Sequence, residues 1–413
     1  MTAFSACVQD SSSNNDVENA TVSNSNWNIQ SDAPILAAHY MPWFSNPNTA
    51  QGDNPNWSHW AWKDSKVDRN PEVRQDDNRR DIASIQYPLI GPYSSDSDHV
   101  IRYHMKTAKS AGIDAFFVIW YGPGSDTDKV IPKLLEEAEL QDMKLAICYE
   151  EKLNWTPYRK PESREDIVAT TIDDLNYVID EYSDHPAYLR RGGKPFIYQF
   201  NYWGEDDLGP RSIQPNEWEE IFNSLGQPIV YARQNLSPQH HPNIDGAYLW
   251  WTTDESYIKD FASFSRHMID EGQLEFFMSM IAPGFDDSGV NGWGEGSRIT
   301  PRAGLSLLKD TFERAWQHDP EVIQVVTWND FNEGTALEPT LGNGFQYLDA
   351  LESWWSEKTG RPANLEDNRE AFMEYLQVAS PEERSEVLPQ ALQVANENSD
   401  LKVSVPNYLE TID

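Results

Sequence analysis

Short apolar runs alternating with amphipathic, helix-like segments constrain this chain more than any other feature. Eight runs read as strands: Ile35 to Tyr40, Ile113 to Trp120, Lys144 to Glu150, Pro195 to Phe200, Pro228 to Arg233, Gly246 to Trp251, Glu275 to Ala282 and Val322 to Trp328. Helical candidates lie among them at Asp98 to Ser110, Asp128 to Leu140, Glu165 to Glu181, Tyr257 to Glu271 and Pro301 to His318. This alternation is the pattern of repeated strand-helix units with a parallel sheet. Eight such units predict an α/β fold, a (β/α)8 TIM-type barrel with long loops at one end and extra C-terminal helices. A doubly wound open sheet is the alternative; the lack of Gly-x-Gly-x-x-Gly after the first run removes its commonest use, not the fold. A length of 413 residues suits one large barrel. Residues 31–362 read as that domain, residues 1–30 as a flexible N-terminal tether, and residues 363–413 as a C-terminal helical extension.

Charge narrows the partners. With 32 Lys+Arg against 67 Asp+Glu the formal charge is -35, a field that repels nucleic acid and anionic surfaces. The acidity itself reads as a solvated surface and names no substrate. Of the two cysteines, Cys148 lies in an apolar run and reads as a buried thiol, whereas Cys7 ends Phe4-Ser5-Ala6-Cys7 ahead of the polar tract Ser11 to Asn26. That arrangement looks like a bacterial lipoprotein processing site followed by a tether, although the residues before Cys7 are too few for an apolar export segment. The expectation is a lipid anchor at Cys7 and a periplasmic or cell-surface location, with a monomeric chain. No stretch is long and apolar enough to span a membrane as a helix. His99 and His104 do not share a helix face, and His240 and His241 point apart if extended, so no metal and no cofactor is expected. A Gly-x-Ser-x-Gly elbow for acyl transfer is absent.

In a barrel of this kind the loops at the carboxyl ends of the strands build the site. Standing there are His39 and Tyr40, Trp120 and Tyr121, Glu150 and Glu151, Asn201 with Tyr202 and Trp203, Arg233 and Gln234, Trp250 and Trp251, Pro283 and Gly284, and finally Asn329, Asp330 and Glu333. Aromatic faces mixed with amides and carboxylates are what a neutral sugar demands, because ring faces stack on Trp or Tyr while hydroxyls pair with Asn, Asp and Glu. A neutral polysaccharide or oligosaccharide is the expected partner. Cleavage of a glycosidic bond requires one group to protonate the departing oxygen and another to assist at the sugar carbon. Asp330 and Glu333, three residues apart after the eighth run, are that candidate pair, with Glu150 a candidate third acid. Tyr40, Trp120, Tyr121, Trp250 and Asn329 are candidate substrate contacts on the same positional ground.

Several loops resemble glycoside hydrolase family 99, the endo-acting α-mannosidases and α-1,2-mannanases. Trp57-Ser58-His59-Trp60 resembles that family's Trp-Asn-His-Trp loop, and Tyr87-Pro88-Leu89-Ile90-Gly91-Pro92-Tyr93-Ser94-Ser95 is similar to its Gly-Pro-Tyr-Ser-Ser segment. Ala111-Gly112-Ile113-Asp114 leads into Ile119-Trp120-Tyr121-Gly122, similar to its Ser-Trp-Trp-Gly, and Pro283-Gly284-Phe285-Asp286-Asp287 resembles its Pro-Gly-Tyr-x-Asp turn. The resemblance covers about residues 33 to 340. It adds His59, Trp60, Tyr93, Asp286 and Arg298 to the substrate-facing candidates, and implies that Glu150 binds a sugar hydroxyl. His59 can equally be a histidine that structures an aromatic loop, and Arg298 a surface arginine.

Where the family carries Phe-Asn-Glu-Trp-His-Glu-Gly-Thr, this chain has Trp328-Asn329-Asp330-Phe331-Asn332-Glu333-Gly334-Thr335. The resemblance implies that Glu333 is the general acid and later base. Asp330 stands in for the carboxylate that draws a proton from the sugar 2-hydroxyl, so that O2 attacks the neighbouring carbon with net retention. One methylene fewer moves a carboxylate by about 1 Å, which uncompensated costs on the order of 100-fold. The same stretch also resembles Thr-Trp-Asn-Asp-Tyr-Gly-Glu-Ser of the family 71 α-1,3-glucanases, in which case an inverting pair standing about 6.5 to 9.5 Å apart would activate water. A glycan-capturing surface lipoprotein on a degenerate barrel is the third reading.

Overall fold

The computed structural model describes residues 26–29, 33–50, 56–151, 163–200, 213–234, 244–362 and 367–396. Eight strands form the centre: β1 Ile35–Tyr40, β2 Ala115–Trp120, β3 Lys144–Glu150, β4 Lys194–Phe200, β5 Val230–Gln234, β6 Gly246–Tyr248, β7 Phe276–Ile281 and β8 Val322–Val325. Each is parallel to its sequence neighbours, and β1 pairs with β8 (Ile35 opposite Val322), which closes the ring into a barrel. The strands are apolar almost throughout because a parallel barrel is buried inside and out. Around them run α1 Asp98–Ser110, α2 Asp126–Leu140, α3 Arg164–Glu181, α4 Pro215–Ser224, α5 Glu255–Asp270, α6 Ser306–Gln317 and α7 Gln346–Thr359. Among the described residues every strand except β5 is followed by a helix.

Side chains fill the lumen. His39 lies edge-on to Phe117, Tyr198 and Trp250, its Nε2 is 3.0 Å from Gln324 Oε1, and Gln324 Nε2 donates to the Leu249 carbonyl. Burial lowers the His39 pKa to about 3, so this ring is a neutral packing element below the site. At the opposite end Trp27 plugs the barrel against Phe196 and Phe276, and its indole N–H donates to Glu321. Gly246 belongs to this plug: a Cβ there would lie 2.2 Å from the Phe276 ring, which Trp27 and Phe196 hold in place.

Several boundaries and two helices differ from expectation. The eighth strand ends at Val325 rather than Trp328 because the chain then bonds to its own return, Thr327 N to Thr335 O at 3.2 Å and Leu337 N to Trp328 O at 2.9 Å. The sixth ends at Tyr248 rather than Trp251. Helices α4 and α7 are additional; α4 starts with Pro215 in its first turn and is closed by reciprocal bonds between Gln214 and Glu217. Cys148 is buried as expected, whereas Cys7 lies outside the described residues.

Three further helices, α8 Asp367–Val378, α9 Pro381–Arg384 and α10 Pro389–Asn396, pack on α1 and on the long loop after β1. Arg80 grips Glu386 through Nε and Nη2 at 2.6 and 2.7 Å, both side chains nearly buried. Glu383 accepts from Ser97 and faces His99 Nδ1 at 2.8 Å. Gly91, at φ +77°, passes so close that a Cβ would sit 2.3 Å from the Glu386 carbonyl oxygen. These helices therefore brace the loop that carries Tyr93 to the carboxyl-end face.

Removing one member of a buried ion pair strands the other charge. Glu386→Ala is expected to lower the unfolding free energy by about 3 to 5 kcal/mol, read as an earlier midpoint in urea. A loss below about 1 kcal/mol would show that the C-terminal helices do not hold the β1 loop.

Candidate active site

Beyond β8, residues 327–335 form one tight turn that presents both acids. Thr327 Oγ1 accepts from Asp330 N at 2.8 Å and lies 3.0 Å from Thr335 Oγ1, while Thr335 N donates to the Asp330 carbonyl at 3.1 Å. Asp330 Oδ1 accepts from Glu333 N at 2.9 Å, so the first acid fixes the backbone of the second. Phe331, between them, points into the wall and packs on Phe44 and Trp60. Gly334 follows at φ +62°, where a Cβ would lie 2.7 Å from the Asp286 carbonyl oxygen. Only glycine lets this turn lie against the β7 loop, where Asp286 N donates to Glu333 O at 2.8 Å. Behind the turn, Arg302 donates to the carbonyls of Gly334 and Ala336.

The two acids meet different surroundings. Asp330 is buried, with 3 % of its surface exposed, whereas the Glu333 side chain is 23 % exposed. Burial pushes the Asp330 pKa well above the carboxylate range, the Glu333 charge adds to that, and the backbone N–H groups of Glu333 and Asn332 oppose it. Glu333 Oε1 accepts from the Trp293 indole at 3.2 Å and lies 4.0 Å from Arg298 Nη2. Arg298 in turn is held by the buried Asp287, whose Oδ2 accepts from Nε at 2.8 Å and pairs with Nη2 at 2.7 Å.

Aromatic rings line one side of these acids. His59, at φ +59°, stacks on Trp43 with centroids 4.4 Å apart and bonds Asn332, whose amide also reaches the His59 and Ala83 carbonyls. Loss of hydration lowers the His59 pKa to about 4, so the ring is neutral at ordinary pH. Tyr121 lies near-parallel to Trp43 at 6.3 Å, and Trp293 meets His59 and Trp62 edge-on. Across the barrel, Trp250 is half-buried against Phe200 and His39, and Glu150 ends β3 beside the buried Glu151. Glu151 accepts from Gln199 and from Ile213 N, and burial raises its pKa.

The expected substrate residues thus divide. Tyr121, His59, Trp250, Asp286 and Arg298 reach solvent on the carboxyl-end face, with Glu150 at its edge. For Tyr40, Trp60, Tyr93, Trp120 and Asn329 the expectation of direct sugar contact is not met, because each is packed inside with its polar atoms bonded internally. Tyr40 OH meets His104, Trp60 Nε1 donates to the Tyr93 carbonyl, and Trp120 Nε1 donates to Asp128. Tyr93 OH donates to Glu338 and accepts from Asn329, whose amide clasps both backbone groups of Met41. Trp60, Tyr93 and Asn329 hold the turn and the β1 end together, while Tyr40 and Trp120 tie their strand ends to α1 and α2. Asn201, Tyr202 and Trp203 lie outside the described residues. Trp43, Asp287, Trp293 and Asn332 complete the site without having been named as candidates, although Asp287 and Asn332 stand inside segments that carry the resemblance; a tryptophan inside the glycine-rich tract Gly289 to Gly296 was the available signal for Trp293.

Comparison with known proteins bears on the family and the fold. The model of "Glycosyl hydrolase family 99" matches residues 33–354. The mouse glycoprotein endo-alpha-1,2-mannosidase is 25% identical over 362 residues, covering 78% of this chain and 74% of that protein. The solved GH99 endo-alpha-mannosidase of Bacteroides thetaiotaomicron shares the fold with a TM-score of 0.60 at 22% identity, over 79% of this chain and 98% of that one. A glucan endo-1,3-alpha-glucosidase of Schizosaccharomyces pombe is 23% identical over 178 residues, 40% of each chain.

The raised Asp330 pKa has a consequence for stability. A carboxyl whose folded pKa exceeds its unfolded value of about 3.9 favours folding while protonated, and that contribution is lost as pH rises through the folded pKa. Asp330→Asn cannot ionise. Its unfolding midpoint is therefore expected to gain on the native protein between about pH 4 and pH 7, by on the order of 1.4 kcal/mol for each tenfold by which folding strengthens proton binding at Asp330. Thermal unfolding of the two across that range checks it; a difference constant with pH would contradict it.

Proposed function

The chain belongs to glycosyl hydrolase family 99, and on that premise we propose that it hydrolyses α-linked mannose glycans by internal attack, with Glu333 and Asp330 as its working acids. It is a glycosidase on a (β/α)8 barrel. The observation that carries the reading is the turn itself: a partly exposed Glu333 and a buried Asp330 fixed to one another at the carboxyl end of β8. The endo-alpha-1,2-mannosidase relatives supply the substrate class.

The chemistry follows from the two environments. Asp330, whose raised pKa makes its carboxylate a stronger base, takes the proton from the sugar 2-hydroxyl. O2 then forms a bond to the anomeric carbon as the bond to the leaving oxygen breaks, and Glu333 gives that oxygen a proton. In the second half Glu333 takes a proton from water, the water oxygen opens the 1,2-anhydro ring at the same carbon, and Asp330 returns the proton to O2. Two displacements leave the configuration retained. The shorter Asp330 is offset by the rigid turn that pins its carboxylate from Glu333 N and its backbone through Thr327. Tyr121, His59, Trp250, Glu150, Asp286 and Arg298 surround the sugar in this reading.

Asp330 in place of the family glutamate, with the partial likeness to a glucan endo-1,3-alpha-glucosidase, supports a second reading in which Asp330 activates water on an α-glucan and the product is inverted. Attachment through a lipid at Cys7, with residues 1–30 as a tether to a bacterial surface, a monomeric state and polysaccharide degradation as the biological task belong to the same proposal.

Incubation with α-1,2-, α-1,3- and α-1,6-linked mannans and with α-1,3-glucan, followed by proton NMR, separates the readings. Retained oligosaccharides from α-mannan are expected, and Glu333→Gln should lower the rate by about 10²- to 10⁴-fold while binding persists. Inverted products from α-glucan would replace the first reading with the second.

A further inference from the structure

We propose that Asp287 is a positioning residue for the acid Glu333: it fixes two groups that meet Glu333 Oε1 and so directs to Oε2 the proton delivered to the leaving group. This rests on Glu333 being the general acid, as argued above.

Asp287 follows Phe285–Asp286, which pair antiparallel with Ile299–Thr300 and so close the loop between them. Its side chain is fully buried, yet its partner Arg298 is 63 % exposed. Oδ1 accepts from Arg298 N at 2.6 Å and Oδ2 from Arg298 Nε at 2.8 Å, while Nη2 pairs with Oδ2 at 2.7 Å. The guanidinium also lies over the Phe285 ring at 4.9 Å, so its plane is held from two directions. From that position Nη2 stands 4.0 Å from Glu333 Oε1.

The same residue organises Trp293. Its carbonyl accepts from Val290 N at 3.1 Å and from Gly292 N at 3.0 Å, which coils the chain over the carboxylate. Asn291, Gly292 and Trp293 then take φ of 50°, 59° and 57°, three successive left-handed residues. Such conformations persist only where the surroundings over-determine them. Here the over-determination comes from Asp287 at one end and from the Asn291 amide bonding Asp64 Oδ2 at 2.9 Å at the other. The outcome is the Trp293 N–H placed 3.2 Å from Glu333 Oε1.

A carboxylic acid has one proton for two oxygens. An indole donor and a nearby cation on Oε1 both favour an unprotonated, electron-rich oxygen there, so the proton of the neutral acid resides on Oε2. Oε2 gives that proton to the leaving oxygen as the glycosidic bond breaks, and as carboxylate takes one back from water. Buried ion pairs are weak stabilisers of a fold. A carboxylate buried beneath an exposed arginine is better explained by the orientation it imposes.

The test compares kcat/KM, which reports the first bond-breaking step, on an α-mannan oligosaccharide and on a dinitrophenyl glycoside of the same sugar, whose leaving group needs no proton. Asp287→Asn is expected to lose about 10- to 100-fold on the oligosaccharide and less than about 3-fold on the aryl glycoside. Trp293→Phe, which removes the indole N–H together with part of the ring that meets His59 and Trp62, should lose less but show the same selectivity. Equal losses on both substrates would mean a merely structural role and overturn the proposal, as would no loss on either. Glu333→Gln measured alongside separates the premise: if it fails to discriminate between leaving groups, Glu333 is not the acid and both readings fall.

Discussion

Closure of the parallel sheet between β1 and β8, with Ile35 opposite Val322 and Ala38 opposite Val325, is the constraint on which everything else rests. Once the ring is shut, all eight carboxyl ends emerge on one face, and the lumen beneath them must be filled by side chains. His39, Phe117, Tyr198 and Tyr248 fill it with rings in contact, and Gln324 ties the filling to the wall through Leu249. The floor so formed is rigid and close-packed. A carboxylate turn built on its rim therefore inherits a fixed position, which is what chemistry at a single bond requires.

An acidic chain must settle its buried carboxylates one at a time. Asp128 accepts from Trp120, Tyr177 and Tyr182 as well as a backbone N–H. Asp114 receives Arg361 and the Leu36 N–H, and Glu386 receives Arg80. Each is satisfied by donors. Asp330 differs: besides backbone donors, its electrostatic neighbours are the acids Glu333 and Asp287. The fold tolerates that repulsion at one turn and compensates it through neighbouring loops, as expected where function sets the geometry.

The motifs that carry the family resemblance report packing as much as contact. Trp60, Tyr93 and Asn329 stand in motif segments near the two acids, yet they form a buried chain from the Trp60 indole through Tyr93 to the Met41 backbone. Their positions at loop starts were legible; their inward direction was not, because a strand end can turn its side chain to lumen, wall or solvent and only the neighbours decide. Trp293 escaped for a related reason. It approaches Glu333 from 40 positions upstream in sequence, and no local pattern records a contact made across a barrel mouth.

What the sequence determined by itself was the kind of fold and the place of the two candidate acids. Periodicity encodes which segments are strands and helices, and the last apolar run ends next to Asp330 and Glu333. The tertiary structure alone decided what each acid can do. Burial of Asp330, exposure of Glu333 and the convergence of Trp293 and Arg298 on one carboxylate oxygen arise from loops after different strands, β7 and β8, brought together by closure. Protonation and proton direction are properties of surroundings, and surroundings exist only once the chain has folded.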